Sequence, residues 1–153
     1  MGFDQPLPNN LYSGSYDLRG NVQEPVLTAS AGVRVEYTLT AETAGDMVDV
    51  VCQFTDAYGV AVTSPVAVWQ YLATTAAGQV LDAAPAGGVA VGTNGTILQE
   101  TDADQIWLAV SEADGLLNVQ VTGDTGALAD CYLITILPSG LISASDEIVI
   151  VAD

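Results

Sequence analysis

Gln105–Gly123 reads QIWLAVSEADGLLNVQVTG, and its pattern decides the fold class. Ile106, Leu108 and Val110 alternate with Trp107 and Ala109. After Ser111-Glu112-Ala113-Asp114-Gly115, Leu117, Val119 and Val121 alternate with Asn118, Gln120 and Thr122. Successive side chains of a strand point to opposite faces, so this period marks strands with one face in a core. Two such runs around a short turn ending in Asp-Gly predict a β-hairpin. The face bearing Asn118, Gln120 and Thr122 is expected to meet water.

The same logic repeats on either side. Upstream, Val33, Val35, Tyr37 and Leu39 alternate with Arg34, Glu36, Thr38 and Thr40. Strands are also predicted over residues 47–54, 60–62, 66–72, 79–83 and 97–100, and downstream over 129–137, 141–144 and 147–151. Turn signals separate them: Thr43-Ala44-Gly45-Asp46, Asp56-Ala57-Tyr58-Gly59, Thr93-Asn94-Gly95-Thr96, Gly123-Asp124-Thr125-Gly126 and Pro138-Ser139-Gly140. No stretch combines a helical period with caps. Leu72–Ala77 has room for one helical turn, which the β-branched Thr74 and Thr75 oppose. Nine or ten short strands with turns between them predict an all-β, antiparallel sandwich, with a closed barrel as the alternative.

Residues 1–32 differ from the rest of the chain. They hold Pro6, Pro8, Pro25 and Asn9-Asn10, and they lack periodicity. The segment reads as an extended N-terminal arm preceding a sandwich domain over 33–153. Its apolar side chains, Phe3, Leu7, Leu11, Tyr12, Tyr16 and Leu18, exceed what a solvated leader needs, and together with Arg19 they are the candidate contacts to other subunits. MGFDQPLPNN has neither a basic nor an apolar leader region, so it does not read as a signal peptide.

The 153 residues are 50% hydrophobic, enough for one domain with a sizeable core. The 19 acidic residues face only Arg19 and Arg34, giving a net charge of -17, and there is no Lys or His. Such a charge opposes binding to nucleic acid or to an anionic membrane, and favours a basic partner or simple solubility. No apolar run is long enough for a spanning helix. Cys52 and Cys131 both fall in predicted core strands, where a thiol behaves as a small hydrophobe.

The chemical inventory is poor. Without His or Lys, the usual general bases and amine nucleophiles are missing, and no Ser-His-Asp or Cys-His set can form in one chain. Carboxylates offer the only acid–base option, as Glu100 with Asp102 and Asp104, Glu112 with Asp114, or Asp146 with Glu147. These lie at turns, where acids serve solvation and backbone capping. Trp69, Trp107 and Tyr71 are expected in the core. Asp102/Asp104 and Glu112/Asp114 could each lend two carboxylates to a calcium ion, but no EF-hand or repeat motif accompanies them. Gly87–Gly92 lacks the helix and lysine of a phosphate loop and reads as a glycine-rich turn. The chain is therefore read as a non-enzyme with no cofactor.

From Val50 to Val151 the segments VVCQFTDAYGVAV, VAVWQYLATTAAGQ, APAGGVAVGTNGTIL, VSEADGLLNVQVT and CYLITILPSGLISAS occur in an order that resembles a small β-rich domain of tailed-bacteriophage structural proteins. The resemblance covers about two-thirds of the chain. It implies an immunoglobulin-like β-sandwich used as a virion building block, with no catalytic residues. On that footing the chain is expected on the capsid exterior as a head decoration (cement) protein. Its partners would be the major capsid protein and neighbouring copies of itself, in a homo-oligomeric array. The alternative is a tail or head-fibre module that recognises a host glycan or receptor through Tyr58, Trp69 and Tyr71. The sequence departs from antibody domains, because Ala129 stands two residues before Cys131 where they carry Tyr, so no inter-sheet disulfide is assumed.

Overall fold

A computed structural model of the chain describes residues 15–16, 22–23, 32–41, 46–123 and 131–150. Among them are eleven strands and no helix. Two short strands, β1 (Ser15–Tyr16) and β2 (Val22–Gln23), pair with each other within the segment expected to be wholly extended. The other nine are β3 (Arg34–Ala41), β4 (Met47–Thr55), β5 (Ala67–Ala73), β6 (Val89–Val91), β7 (Thr96–Asp102), β8 (Ile106–Val110), β9 (Leu116–Thr122), β10 (Tyr132–Ile136) and β11 (Ile142–Ala144). They form an immunoglobulin-like sandwich of two antiparallel sheets, a four-stranded one in the order β3-β4-β9-β6 and a five-stranded one in the order β11-β10-β5-β8-β7. Open edges on both sheets exclude a closed barrel.

The expected hairpin at 105–123 is instead an arch. β8 pairs with β5 and β7 in one sheet, whereas β9 pairs with β4 and β6 in the other. Ser111 still belongs to the five-stranded sheet, its backbone N–H donating to Val66 O at 3.0 Å and its Oγ accepting the Val66 N–H at 3.0 Å. Gly115 already belongs to the other sheet, its carbonyl accepting the Phe54 N–H at 2.8 Å. Residues 111–115 thus carry the chain across the core, a step of about 10 Å between packed sheets. Alternation reports which face is buried and says nothing about which strand lies alongside, so a hairpin and an arch leave the same pattern. The actual hairpin here is β7–β8, closed by residues 103–105.

Gly115 fixes the corner. It has φ +80°, and a Cβ there would lie 2.7 Å from Phe54 O and 2.7 Å from a Val62 methyl. Gly115→Ala is expected to lower stability by about 2 kcal/mol or more through backbone strain and collision. A shift of the urea midpoint with an unchanged slope would check this.

Core residues come from both sheets. Val48, Val50, Cys52, Phe54, Leu117, Val119 and Val121 face Val68, Leu72, Trp107, Ala109 and Leu133 across the interface. The β3 alternation holds, with Val33 buried, Val35, Tyr37 and Leu39 packed against the core, and Arg34, Glu36, Thr38 and Thr40 exposed. Asn118 departs from expectation: it is only 6% exposed. The loop that carries the chain from β6 to β7 covers it, with Gly92 N–H donating to Asn118 O and Asn118 N–H to Asn94 O, both at 2.9 Å. Gln120 and Thr122 are half-buried.

Several short predicted strands reduce to single bridges, Ala61 to Thr55, Leu81 to Ala73 and Ile148 to Cys131. The Gly87–Gly92 segment, expected as a turn, contains β6, which pairs with β9. Pro138-Ser139-Gly140 closes β10 onto β11 as expected, with Gly140 N–H donating to Leu137 O at 2.8 Å. The predicted turns at residues 43–45 and 124–126 lie outside the described residues.

Candidate docking face

The face that distinguishes this sandwich stems from the orientation of β5. Val68, Gln70 and Leu72 point inward, and Trp69 and Tyr71 point outward. The expectation that Trp69 and Tyr71 fill the core is therefore corrected. Trp107 alone of the three lies in the core, with no exposed surface, whereas Trp69 is 37% exposed. The inversion rests on Gln70, which is fully buried. Trp107 Nε1–H donates to Gln70 Oε1 at 3.1 Å, and Gln70 Nε2 donates to Thr135 Oγ1 at 3.1 Å. The same amide points at Cys52 Sγ on the opposite sheet, 3.6 Å away. Burying an amide is costly unless its groups are paired, and here both ends are.

The register then sets what the outside of the five-stranded sheet presents. Leu108, Trp69, Ile136 and Ile142 are cross-strand partners on β8, β5, β10 and β11, forming one outward row. Ile106, Tyr71, Ile134 and Ala144 form the next. Only Asp102, opposite Ile106 on the edge strand β7, places a carboxylate in register with either row among the described residues. The outer face of the four-stranded sheet is of ordinary polar kind, with Glu36 opposite Gln53, and Asp49 opposite Thr40 on one side and Gln120 on the other. Antiparallel sheets commonly wet one face, so a sheet apolar on both sides marks a contact surface.

The protein covers the second row itself. The segment after β5 folds back, bringing Gly78 over the sheet, where Tyr71 Oη donates to Gly78 O at 2.9 Å. A Cβ on Gly78 would stand 2.7 Å from that hydroxyl and 3.4 Å from an Ile134 methyl. Ile134 is completely buried beneath this strap although it points away from the core. The first row is more open: Trp69 and Ile142 are exposed, Leu108 and Ile136 are half-buried, and Leu141 beside Ile142 is 65% exposed. This row could be found only by combining the register of four strands.

At the β11 end the row runs into a groove whose lining includes the apolar Val33, Val35, Leu141 and Ile142 and the polar Arg34 and Ser143, beside Gly32 where the described sandwich begins. Tyr37 closes the inner side of this edge, its Oη donating to Ser143 O at 3.0 Å. No protein-family model matches this chain, and no curated protein matches it either. Among the described residues, no helix is long and apolar enough to cross a membrane.

Of the acids expected at turns, Glu100 and Asp102 lie instead on β7, while Asp104, Glu112, Asp114, Asp146 and Glu147 lie outside the strands, and no group of three or more His, Cys, Asp or Glu that could hold a metal occurs among the described residues. Asp104, at φ 59°, accepts the Val89 N–H at 2.6 Å and so ties the β7–β8 turn to β6 of the other sheet. Glu112 accepts the Gly95 N–H at 3.2 Å, and Asp114 accepts the Leu116 N–H at 3.1 Å, bracing the arch. Glu147 accepts the Tyr132 hydroxyl at 3.1 Å, and Glu100, Asp102 and Asp146 are exposed. Tyr58, on the turn after β4, is 91% exposed. Of the arm candidates, Tyr16 lies on β1, paired with Val22; Phe3, Leu7, Leu11, Tyr12, Leu18 and Arg19 lie outside the described residues.

Two buried groups carry a pH signature. Burial pushes the Cys52 thiol from 9.0 up to about 12, against the opposing pull of the Gln70 amide. Burial likewise pushes the Tyr37 phenol from 10.0 up to about 12. Between the unfolded and folded values the unfolded chain has lost protons that the folded chain keeps, so stability falls as pH rises. Both contributions are complete below the thiol's ordinary 9.0 and are lost on approach to about 12. Alkaline unfolding is expected in that window, with Tyr37→Phe flattening its upper part, and the Cys52 thiol should resist thiol reagents near neutral pH until the chain unfolds. Circular dichroism and thiol titration check the two.

Proposed function

We propose that this chain is a non-enzymatic structural protein of a tailed-phage virion, a head decoration (cement) subunit on the capsid exterior. It would work by burying surface at subunit junctions, through the arm and the apolar face of the sandwich. The observation that carries this reading is the outward apolar row Leu108–Trp69–Ile136–Ile142, exposed at Trp69 and Ile142, on a sheet whose other side is already in the core. The absence of His and Lys from the chain and the resemblance of its segment order to phage structural domains support it. At a net charge of -17, the rest of the surface suits solvent or basic patches on the major capsid protein. The test is a chain lacking residues 1–20, added to purified shells without decoration. Weakened binding with an intact sandwich is the expected result, and undiminished binding excludes the arm from the contact.

A second reading, a glycan- or receptor-binding module, draws on the exposure of Trp69 and Tyr58. Sugar sites add polar groups that fix hydroxyls beside the aromatic platform. The register neighbours of Trp69 are Leu108 and Ile136, which favour a protein contact instead. Binding on a glycan array, lost in Trp69→Ala, would reverse this preference.

A further inference from the structure

We infer that the open row on the five-stranded sheet is the receptor for the N-terminal arm of a neighbouring copy of this chain. The inference rests on the proposal that the protein builds an array, and it names the surface at which copies join. The arm is the apolar segment at hand: Phe3, Leu7, Leu11, Tyr12, Tyr16 and Leu18 all precede the sandwich. The place where it leaves the domain is favourable. Gly32 lines the groove with Leu141 and Ile142, at the β11 end of the row. From Ile142 to Leu108 is three strand spacings, roughly 15 Å. With β1 folded back on β2, the residues before and after that pair reach up to about 70 Å when extended. An arm therefore has length enough to leave its own domain and lie along the row of the next.

The protein's own construction shows what the row accepts. The strap at Gly78 covers the second row with backbone and seals Ile134 completely. An arm lying over Trp69 and Ile136 would complete that cover across the sheet. Charge permits it. The face carries one carboxylate in register, and residues 1–32 carry Asp4, Asp17 and Glu24 against Arg19, so the repulsion between two acidic chains is least here. Exchange of identical arms between copies is also a direct route to a closed or extended assembly.

The test uses the full chain with a photoreactive benzoylphenylalanine at Ile142. Isotope-labelled and unlabelled chains are refolded together, irradiated and mapped by mass spectrometry. The expected products join position 142 to residues 1–32 in mixed-isotope pairs, and Trp69→Asp reduces their yield by about tenfold or more. Products confined to same-isotope chains overturn the exchange between copies. Products outside the arm, or none, overturn the assignment of the face. Circular dichroism of each variant separates misfolding from lost contact. No shell is present, so this result stands apart from capsid binding: shells can still bind a chain whose arm fails to cross-link, and the reverse outcome would remove the virion reading alone.

Discussion

Gln70→Leu is expected to destabilise the fold by about 2–4 kcal/mol, because it strands two buried neutral polar groups at about 1–2 kcal/mol each. The Trp107 indole N–H loses its acceptor and Thr135 Oγ1 loses its donor, and solvent cannot replace either, since Trp107, Gln70 and Thr135 are all fully buried. In a chain of this size that corresponds to a melting shift of roughly 4–16 °C. Trp107→Phe should cost about 2 kcal/mol or more, leaving Gln70 Oε1 unpaired and a space beside it. The double variant is the sharper test. Removing both partners of a buried hydrogen bond is far less costly than removing one, so the two losses should fall short of additivity by about 1–2 kcal/mol. Additive losses in urea titrations would mean that the Trp107–Gln70 bond contributes nothing. The network matters for function because it holds Gln70 inward and thereby Trp69 outward.

Trp69→Asp, alone or with Ile142→Asp, is expected to leave the sandwich folded and to abolish its association. Both side chains have exposed surface, so the cost to stability should be about 1–2 kcal/mol, mostly from the poor fit of Asp in a strand. The cost to a contact is larger. A carboxylate sealed against Leu108 and Ile136 has no partner, and burying it unpaired weakens binding by about 3 kcal/mol or more, at least about 100-fold. Sedimentation of the purified chain and retention on shells both measure it. A control on the other sheet, Thr38→Asp, adds the same charge to an exposed polar position and should change neither. Equal effects of the two changes would show that net charge, and not this face, governs association.

Most strands were legible because they bury one side more than the other. Val33–Thr40 and the two halves of Gln105–Gly123 alternate as strands do, and the sandwich is implied by their number and spacing. What alternation does not carry is the identity of the neighbour. It is the same whether β9 turns back beside β8 or crosses to the other sheet, and here only the backbone bonds of Ser111 and Gly115 decide. The outward apolar row was hidden for a related reason. Hydrophobicity alone assigns the aromatics of VAVWQYLA to the inside and Gln70 to the outside, yet Trp107 and Thr135, distant in the chain, supply the two partners that let Gln70 be buried. Glu112 reaches the Gly95 N–H, 17 positions away, a bond with no local signature, but Asp114 was read correctly as a turn cap, because Asx turns are local. The inter-sheet tie of Asp104 to Val89 was not, since it joins turns brought together only by the fold.

A contact protein of a capsid lattice is present in proportion to the lattice. Quantitative mass spectrometry of purified virions, with the major capsid protein as reference, therefore tests the functional reading most directly. A fixed simple ratio, on the order of hundreds of copies per particle, is the predicted result. A handful of copies, or none, would contradict it.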